Sequence, residues 1–389
     1  MIEKHVLHAH REHFGQDGQV YAAPARVNLI GEHTDYTGGL VMPMAIGFQT
    51  VAAVSPRQDG RAVFYSMNFD EEIAFEIASQ GVSPSGHWSD YPAGVLWCLG
   101  QAGVVVSGFN MTLGGDVPLG AGLSSSASVE VATAMALLKH AGATLPLAEI
   151  ATLCRRAENE YVGAKSGIMD QFVVAGGVVE RAMLLDCRSL DYELLPLPSA
   201  VKVVICNSMV KHAHADGEYG DRRDEVESGQ AVVVQERPGV AMLRDATVAD
   251  LDACRDKMSE ASFLRCRHIV TENARVLEAR EALLEGDMKH FGVLMEKAHV
   301  SFRDDFQASC AEIDTLVEIA SRQPECFGAR ITGGGFGGCT VNVVRAADAE
   351  RFVETLRREY EAATGIVADC FVCEASDGAL AMLTHRGAQ

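Results

Sequence analysis

Between Pro118 and Ser128 the chain reads Pro-Leu-Gly-Ala-Gly-Leu-Ser-Ser-Ser-Ala-Ser, and these residue types suit the binding of an anion. Gly120 and Gly122 can take positive φ and bring bare backbone N–H groups against a ligand. Ser124, Ser125, Ser126 and Ser128 add hydroxyls. Val131, Met135 and Leu138 follow at spacings of four and three, which predicts a helix over Val129 to His140 whose amino end faces the loop. Unpaired N–H groups at that end would suit a nucleotide triphosphate. The common P-loop is excluded because no Gly-Lys-Ser/Thr follows, and a hydrolase elbow because position 126 is serine where a second glycine is needed. Taken alone, the same residues also describe an ordinary turn with a well-capped helix.

Other segments carry chemistry of a different kind. Asp170, in Gly167-Ile-Met-Asp-Gln171, is a lone carboxylate among apolar neighbours and is a candidate general base, with a capping role as the alternative. Glu32, His33 and Asp35 form a compact set of hydrogen-bonding groups of the kind a polyhydroxylated ligand requires; alone they also read as a solvated turn. A zinc site is excluded there for want of a third ligand at useful spacing, and His212-Ala-His214 with Asp216 is similarly weak. Gly333, Gly335 and Gly338 spell G-x-G-x-x-G, but Cys339 to Val344 reads as a strand where a dinucleotide fold needs a helix. Ser208 to Lys211 fits S-x-x-K without its companion motifs. Cys370-Phe-Val-Cys373 lacks a second C-x-x-C and reads as a buried strand.

The elements that must position these groups alternate irregularly, which indicates an α+β protein. Strands are predicted at 26–31, 50–54 and 61–66, and helices near 89–103, 127–141 and 146–162. Val173 to Leu185 reads as apolar strand material broken by Gly176-Gly177, and Val201 to Asn207 as a buried strand. After a polar stretch from His212 to Arg223, helices dominate to about 321. Strands then bracket the glycine loop at 330–332 and 340–344, before a helix over 347–363 and a strand over 367–373. With 33 basic against 53 acidic residues the formal charge of -20 disfavours nucleic acid and anionic membranes as partners. The 11 scattered cysteines fit reduced thiols in a cytoplasm, and the start of the chain has no apolar signal region.

Three segments in this order carry a family resemblance: Ala23-Pro-Ala-Arg-Val-Asn-Leu-Ile-Gly-Glu-His-Thr-Asp-Tyr36, the loop from Pro118 to Ser128, and Gly328-Ala-Arg-Ile-Thr-Gly-Gly-Gly-Phe-Gly-Gly-Cys339. Together they resemble the sugar-kinase branch of the GHMP family of small-molecule kinases, and the first is similar to the galactokinase signature. The resemblance extends over nearly the whole chain and includes Gly167–Gln171, His268-Ile-Val-Thr-Glu-Asn273 and Phe302-Arg-Asp-Asp-Phe306. It implies a two-domain GHMP kinase fold. Residues 1–200 would form a domain similar to the second domain of ribosomal protein S5, and residues 201–389 a ferredoxin-like domain, with the site in the cleft between.

The resemblance also assigns roles. Asp170 would be the catalytic base and Arg26 its cationic partner against the transferred phosphate. Glu32, His33, Thr34, Asp35, Gly167 and Tyr219 would bind galactose. Gly120, Ala121, Gly122, Leu123, Ser124, Ser125 and Ser126, with Ser66, would hold ATP. Ser126 and Glu158 would hold Mg2+. The implied activity is ATP-dependent phosphorylation of the galactose C1 hydroxyl, the entry step of the Leloir pathway, by a cytoplasmic monomer. A kinase for a related sugar such as N-acetylgalactosamine is the alternative within the class. A non-catalytic sugar sensor is disfavoured, because the Ser126-Ala127 pair that such sensors lack is present. Two departures stand out: Ala25 replaces a common glycine, with strain expected there, and Ala213 to Glu218 replaces a more serine-rich stretch.

Overall fold

The first strand, β1 (Gln19–Asn28), is buried from Tyr21 to its end, and a strand enclosed on both faces shows no polar alternation in sequence. In this computed structural model, which describes residues 2–79, 84–118, 120–211 and 215–386, β1 pairs with β3 (Pro43–Pro56). The sheet continues through β6 (Phe109–Gly115), β4 (Arg61–Ser66) and β5 (Glu71–Glu76), with β4 and β6 its parallel pair. The register of β1 against β3 shifts between Pro24 and Ala25. A proline has no N–H for the ladder, so this bulge is where it fits, and bulges re-aim the side chains that follow. Arg26 is the second residue beyond it.

Helix α1 (Ile2–Phe14) closes one face of the sheet through Val6 and through His10, which bonds Thr112 and Ser55. On the other face pack α2 (Asp90–Gln101), α3 (Ser125–His140), α4 (Leu147–Arg156) and α5 (Met169–Gly176), around Phe64, Phe109, Val131, Leu137 and Val174. A small sheet of β2 (Leu40–Val41), β7 (Arg181–Asp186) and β8 (Tyr192–Pro196) follows the sugar-motif segment.

The later half is built on a second sheet of β9 (Val201–Lys211), β10 (Cys326–Thr332), β11 (Gly337–Arg345) and β12 (Asp369–Cys373), ordered β10-β11-β9-β12 and antiparallel throughout. In chain order that is the ferredoxin-like arrangement. Five helices fill its first crossover: α6 (Ala215–Glu236), α7 (Val248–Cys254), α8 (Glu260–Glu285), α9 (Met288–Ser301) and α10 (Ala311–Ser321). The second crossover is α11 (Ala349–Thr364), whose Phe352, Leu356 and Tyr360 recur at helical spacing and pack on the outer sheet face. The inner face of β9 and β11 shares one apolar core with the far end of β1. Val203, Ile205 and Val341 meet Val27, Leu29 and Met44, with Phe291 and Met295 of α9 between. The chain then returns across the junction, pairing Ala375 with Ile46, and ends in α12 (Ala379–Arg386) against the first half.

Several sequence expectations are corrected. Val173–Gly176 is the end of a helix, not strand material; an apolar run buried all round gives no period to separate the two. The strand predicted at 26–31 ends at Asn28, after which Leu29 and Ile30 make backbone bonds with Met42. The helix predicted to 162 is α-helical only to Arg156, then widens to a π turn over Ala157–Val162. The polar stretch ending at Arg223 belongs to α6; Leu119 and His212 to His214 lie outside the described residues. Ala25 pairs with Ile46 directly after the register shift and is not in the left-handed region, so the expected strain is absent. Cys370 packs against the outer core and Cys373 against the inner one, as an odd offset along a strand requires. Among the described residues no helix is long and apolar enough to cross a membrane.

Candidate active site

Arg26 leaves β1 just after the bulge and meets Asp170 in the first turn of α5, 144 residues on, in a two-pronged ion pair: Nε to Oδ1 at 2.7 Å and Nη2 to Oδ2 at 2.5 Å. Its remaining nitrogen, Nη1, donates to the Gly122 carbonyl at 2.6 Å, and its backbone N–H to that of Leu123 at 3.3 Å. Burial works against the guanidinium charge, but Asp170 outweighs it and holds Arg26 protonated. One arginine therefore ties the carboxylate to the serine-glycine loop. Ser124 reinforces this: its φ of 57° is left-handed and its hydroxyl makes no helix cap, donating instead to Asp170 Oδ2. The resemblance gave Ser124 to the ATP phosphates, with an ordinary cap as the alternative for the loop; its hydroxyl here meets the Asp170 carboxylate.

The segment after β1 turns back on itself through side-chain bonds. Thr34 is fully buried, its hydroxyl shared between the carbonyls of Gly31 and Leu40. It shapes the turn and does not face the cleft. Glu32 is held by Asn28 Nδ2 at 2.8 Å, by the Gly333 N–H at 2.9 Å and by Arg330 Nη2 at 3.4 Å, which joins the sugar-motif turn to the glycine loop. His33 has left-handed backbone, its Nδ1 is 3.2 Å from the Tyr36 hydroxyl, and its ring lies among Tyr219, Phe302 and Phe306. Burial, then His268, pushes its pKa down to about 3, so it is neutral. Asp35 faces Gly167, and burial followed by the negative charges of Asp170 and Glu32 raises its carboxyl to about 7. Tyr219 covers this group from α6, its ring close to where a Gly334 side chain would begin.

On the other side of the loop, Ser66, Ser125 and Ser126 line a cavity of about 150 Å³ with Thr50, Trp88 and Tyr91. Gly120 and Gly122 both have positive φ, and Gly122 is exposed. Ala121 and Leu123 turn their side chains into the core, so only their backbone is available to a ligand. Ser128 is spent on the Ala23 carbonyl and the Thr50 N–H, fixing α3 to the sheet. Glu158 stands in the π turn after α4 and accepts from Ser166 Oγ at 2.6 Å and Gln171 Nε2 at 2.8 Å, both on Oε2. Gln171 also donates to Glu130, one helical turn from Ser126, so a buried amide joins Glu158 to Glu130.

The structure thus collects Arg26, Asp170, Ser124, Asp35, Gly167 and Tyr219 into one group, while Ser125 and Ser126 of the same loop line the neighbouring cavity. Sequence reasoning missed Trp88 and Tyr91 beside Ser66, where no periodicity marks them. It also gave no separate role to Glu272, which accepts from the Gly31 N–H at 2.9 Å, to His268 against the Glu32 carbonyl, or to Arg330. Their only signal was the run from His268 to Asn273 and the glycine segment.

Comparison with known proteins agrees with this arrangement. Residues 90–177 match the GHMP kinases N terminal domain and residues 279–362 the GHMP kinases C terminal domain, so the chain is a GHMP kinase. Residues 8–56 match the galactokinase galactose-binding signature. A galactokinase of Roseiflexus sp. (strain RS-1) is 42% identical over 95% of this chain and 94% of its own length, and one of Streptomyces coelicolor is 41% identical over 91% and 92%. The crystal structure of Lactococcus lactis galactokinase complexed with galactose superposes with a TM-score of 0.93 at 33% identity, covering 97% of this chain and 99% of that one. The chain belongs to the galactokinase family.

Proposed function

We infer that the protein transfers the γ-phosphoryl group of ATP to the C1 hydroxyl of D-galactose, giving galactose 1-phosphate and ADP, the first committed step of the Leloir pathway. The observation that carries this reading is the Arg26–Asp170 pair, lodged between a polar turn suited to a sugar and a serine-glycine loop suited to phosphates. Asp170 Oδ2 accepts from both Arg26 and Ser124, whereas Oδ1 accepts from Arg26 alone and keeps a lone pair for the sugar O1–H. As O1 bonds to the γ-phosphorus and the bridging oxygen departs with ADP, the O1 proton passes to Asp170. Arg26 stabilises the negative charge moving through this region. Asp35, Gly167, Glu32, His33 and Tyr219 hold the sugar, Thr34 acting by shaping the turn.

ATP would lie with its base among Trp88, Tyr91 and Ser66 and its phosphates along Gly120 to Ser126. A carboxylate and a hydroxyl on neighbouring elements suit a cation that keeps most of its water shell. Ser126 and Glu158 would hold Mg2+, which supplies charge neutralisation on the phosphates. We place the enzyme in the cytoplasm as a monomer, where ATP is available and its 11 cysteines stay reduced. Release of ADP over a panel of sugars tests the reading: galactose should turn over well and glucose poorly. A higher kcat/KM for N-acetylgalactosamine than for galactose would overturn the substrate assignment.

A further inference from the structure

Helix α6 brings Tyr219 over the cleft, and two arginines one turn further on leave the helix in different directions. Arg222 donates Nε and Nη2 to the Gln307 carbonyl, both at 3.3 Å, and stands 5.7 Å from the ring centre of Phe336 in the glycine loop. Arg223 donates Nη1 to the Lys165 carbonyl and Nε to Glu227 at 2.9 Å, and its guanidinium lies 4.9 Å over the ring of Tyr36. Lys165 answers with its own bond to Asp224 at 3.0 Å.

Lys165 opens a short stretch on which much of the site depends. Ser166 bonds Glu158, Gly167 lies against Asp35, and Asp170 pairs with Arg26. Tyr36, the other partner of Arg223, follows Asp35 directly and meets His33 through its hydroxyl. Arg223 therefore touches both walls of the sugar group from the helix that carries Tyr219, and its side chain is only 19% exposed. None of its partners lines the cavity containing Ser66 and Ser126.

We propose that Arg223 is a positioning residue for the sugar: it latches α6 to the Lys165–Gly167 stretch and to Tyr36, fixing the distance from Tyr219 to Asp35, while Arg222 anchors the same helix to the glycine loop. The proposal rests on the galactose-kinase reading above. An arginine is required because its planar fork donates along two edges while its face stacks on an aromatic ring; a lysine ammonium does one of these at a time. The effect falls mainly on the sugar, since none of the partners of Arg223 lines the cavity containing Ser66 and Ser126 and the latched stretch reaches the metal side only through the bond from Ser166 to Glu158.

The test compares Arg223→Met and Arg223→Lys with the parent enzyme, measuring kcat and KM for both substrates and the rise in Tm given by galactose and by ATP separately. Both variants should lose roughly 10- to 100-fold in kcat/KM for galactose, mainly through KM, with KM for ATP changed by less than about twofold. The galactose-induced rise in Tm should shrink and the ATP-induced rise persist. If Arg223→Met does not fold, Arg223→Lys, which keeps the charge and stem, decides alone. Unchanged galactose constants, or equal shifts for both substrates, overturn the latch. A parent enzyme that fails to phosphorylate galactose instead overturns the functional reading, so the two failures are distinguishable.

Discussion

Gly167 lies so close to the Asp35 carboxylate that a Cβ added to it would fall 1.8 Å from Oδ2. The backbone of the loop before Asp170 thus walls in the Asp35 carboxylate, and its closeness helps to bury that charge. Gly167→Ala should displace either the carboxylate or the loop. We expect kcat/KM for galactose to fall by roughly 100-fold, because small misplacements near the reacting groups are costly. Near-parent kinetics in a folded Gly167→Ala variant would show that the close approach has no functional role.

Asp35 also gives the site a pH dependence. Its carboxyl titrates at about 7 because burial, then Asp170 and Glu32, oppose its charge, with the Tyr36 N–H and Arg26 acting the other way. A sugar hydroxyl that donates to Asp35 favours the ionised form, so galactose should bind more tightly as pH rises through about 7, releasing a fraction of a proton. Calorimetry in buffers of different ionisation enthalpy reads that proton directly. Affinity independent of pH from 6 to 8, with no proton released, would place the donor elsewhere.

For the metal, Glu158→Gln should raise the Mg2+ concentration for half-maximal rate by roughly 10-fold while leaving galactose binding alone. Superimposable Mg2+ titrations of variant and parent would make Glu158 a structural residue.

Acid stability has a definite sign. Burial lowers His10 and His268 to about 4 and His33 to about 3, against an ordinary value of 6.5. The unfolded chain then binds more protons than the native one between those values. Their contribution is complete above about 6.5 and is lost as pH falls from there, fully by about 4 for His10 and His268 and by about 3 for His33. Asp35 works oppositely, its raised carboxyl favouring the folded state as pH falls from 7 toward 4. The urea midpoint should therefore fall as pH drops from about 6.5 to about 4, the three histidines outweighing the single Asp35 proton, and His268→Gln should flatten that slope. A midpoint unchanged down to pH 4 in the parent would refute this.

Much of this site is legible in sequence because its residues sit in contiguous motifs. Glu32 to Asp35, Gly120 to Ser126 and Asp170 are visible as local clusters, and the glycine segment was separable from a dinucleotide turn by the strand after it. What was not legible depends on tertiary contact. Nothing local shows that Ser124 abandons its cap for Asp170, that Thr34 turns inward, or that Glu32 meets Arg330, 298 positions away (330 minus 32). The helix at Val173 was mistaken for strand because burial on every side erases the period that distinguishes them. Trp88 and Tyr91 acquire meaning only once β4 and α3 place Ser66 and Ser126 beside them.

The central claim is transfer to the C1 oxygen of galactose with Asp170 accepting its proton, and phosphorus NMR of a reaction with ATP, Mg2+ and galactose tests it most directly. The account predicts one new phosphomonoester whose phosphorus couples to the anomeric proton, forming in step with ADP. A folded Asp170→Asn variant should form it at least about 100-fold more slowly. An ester coupled to the C6 methylene protons, or the same ester formed at the parent rate by Asp170→Asn, would contradict the account.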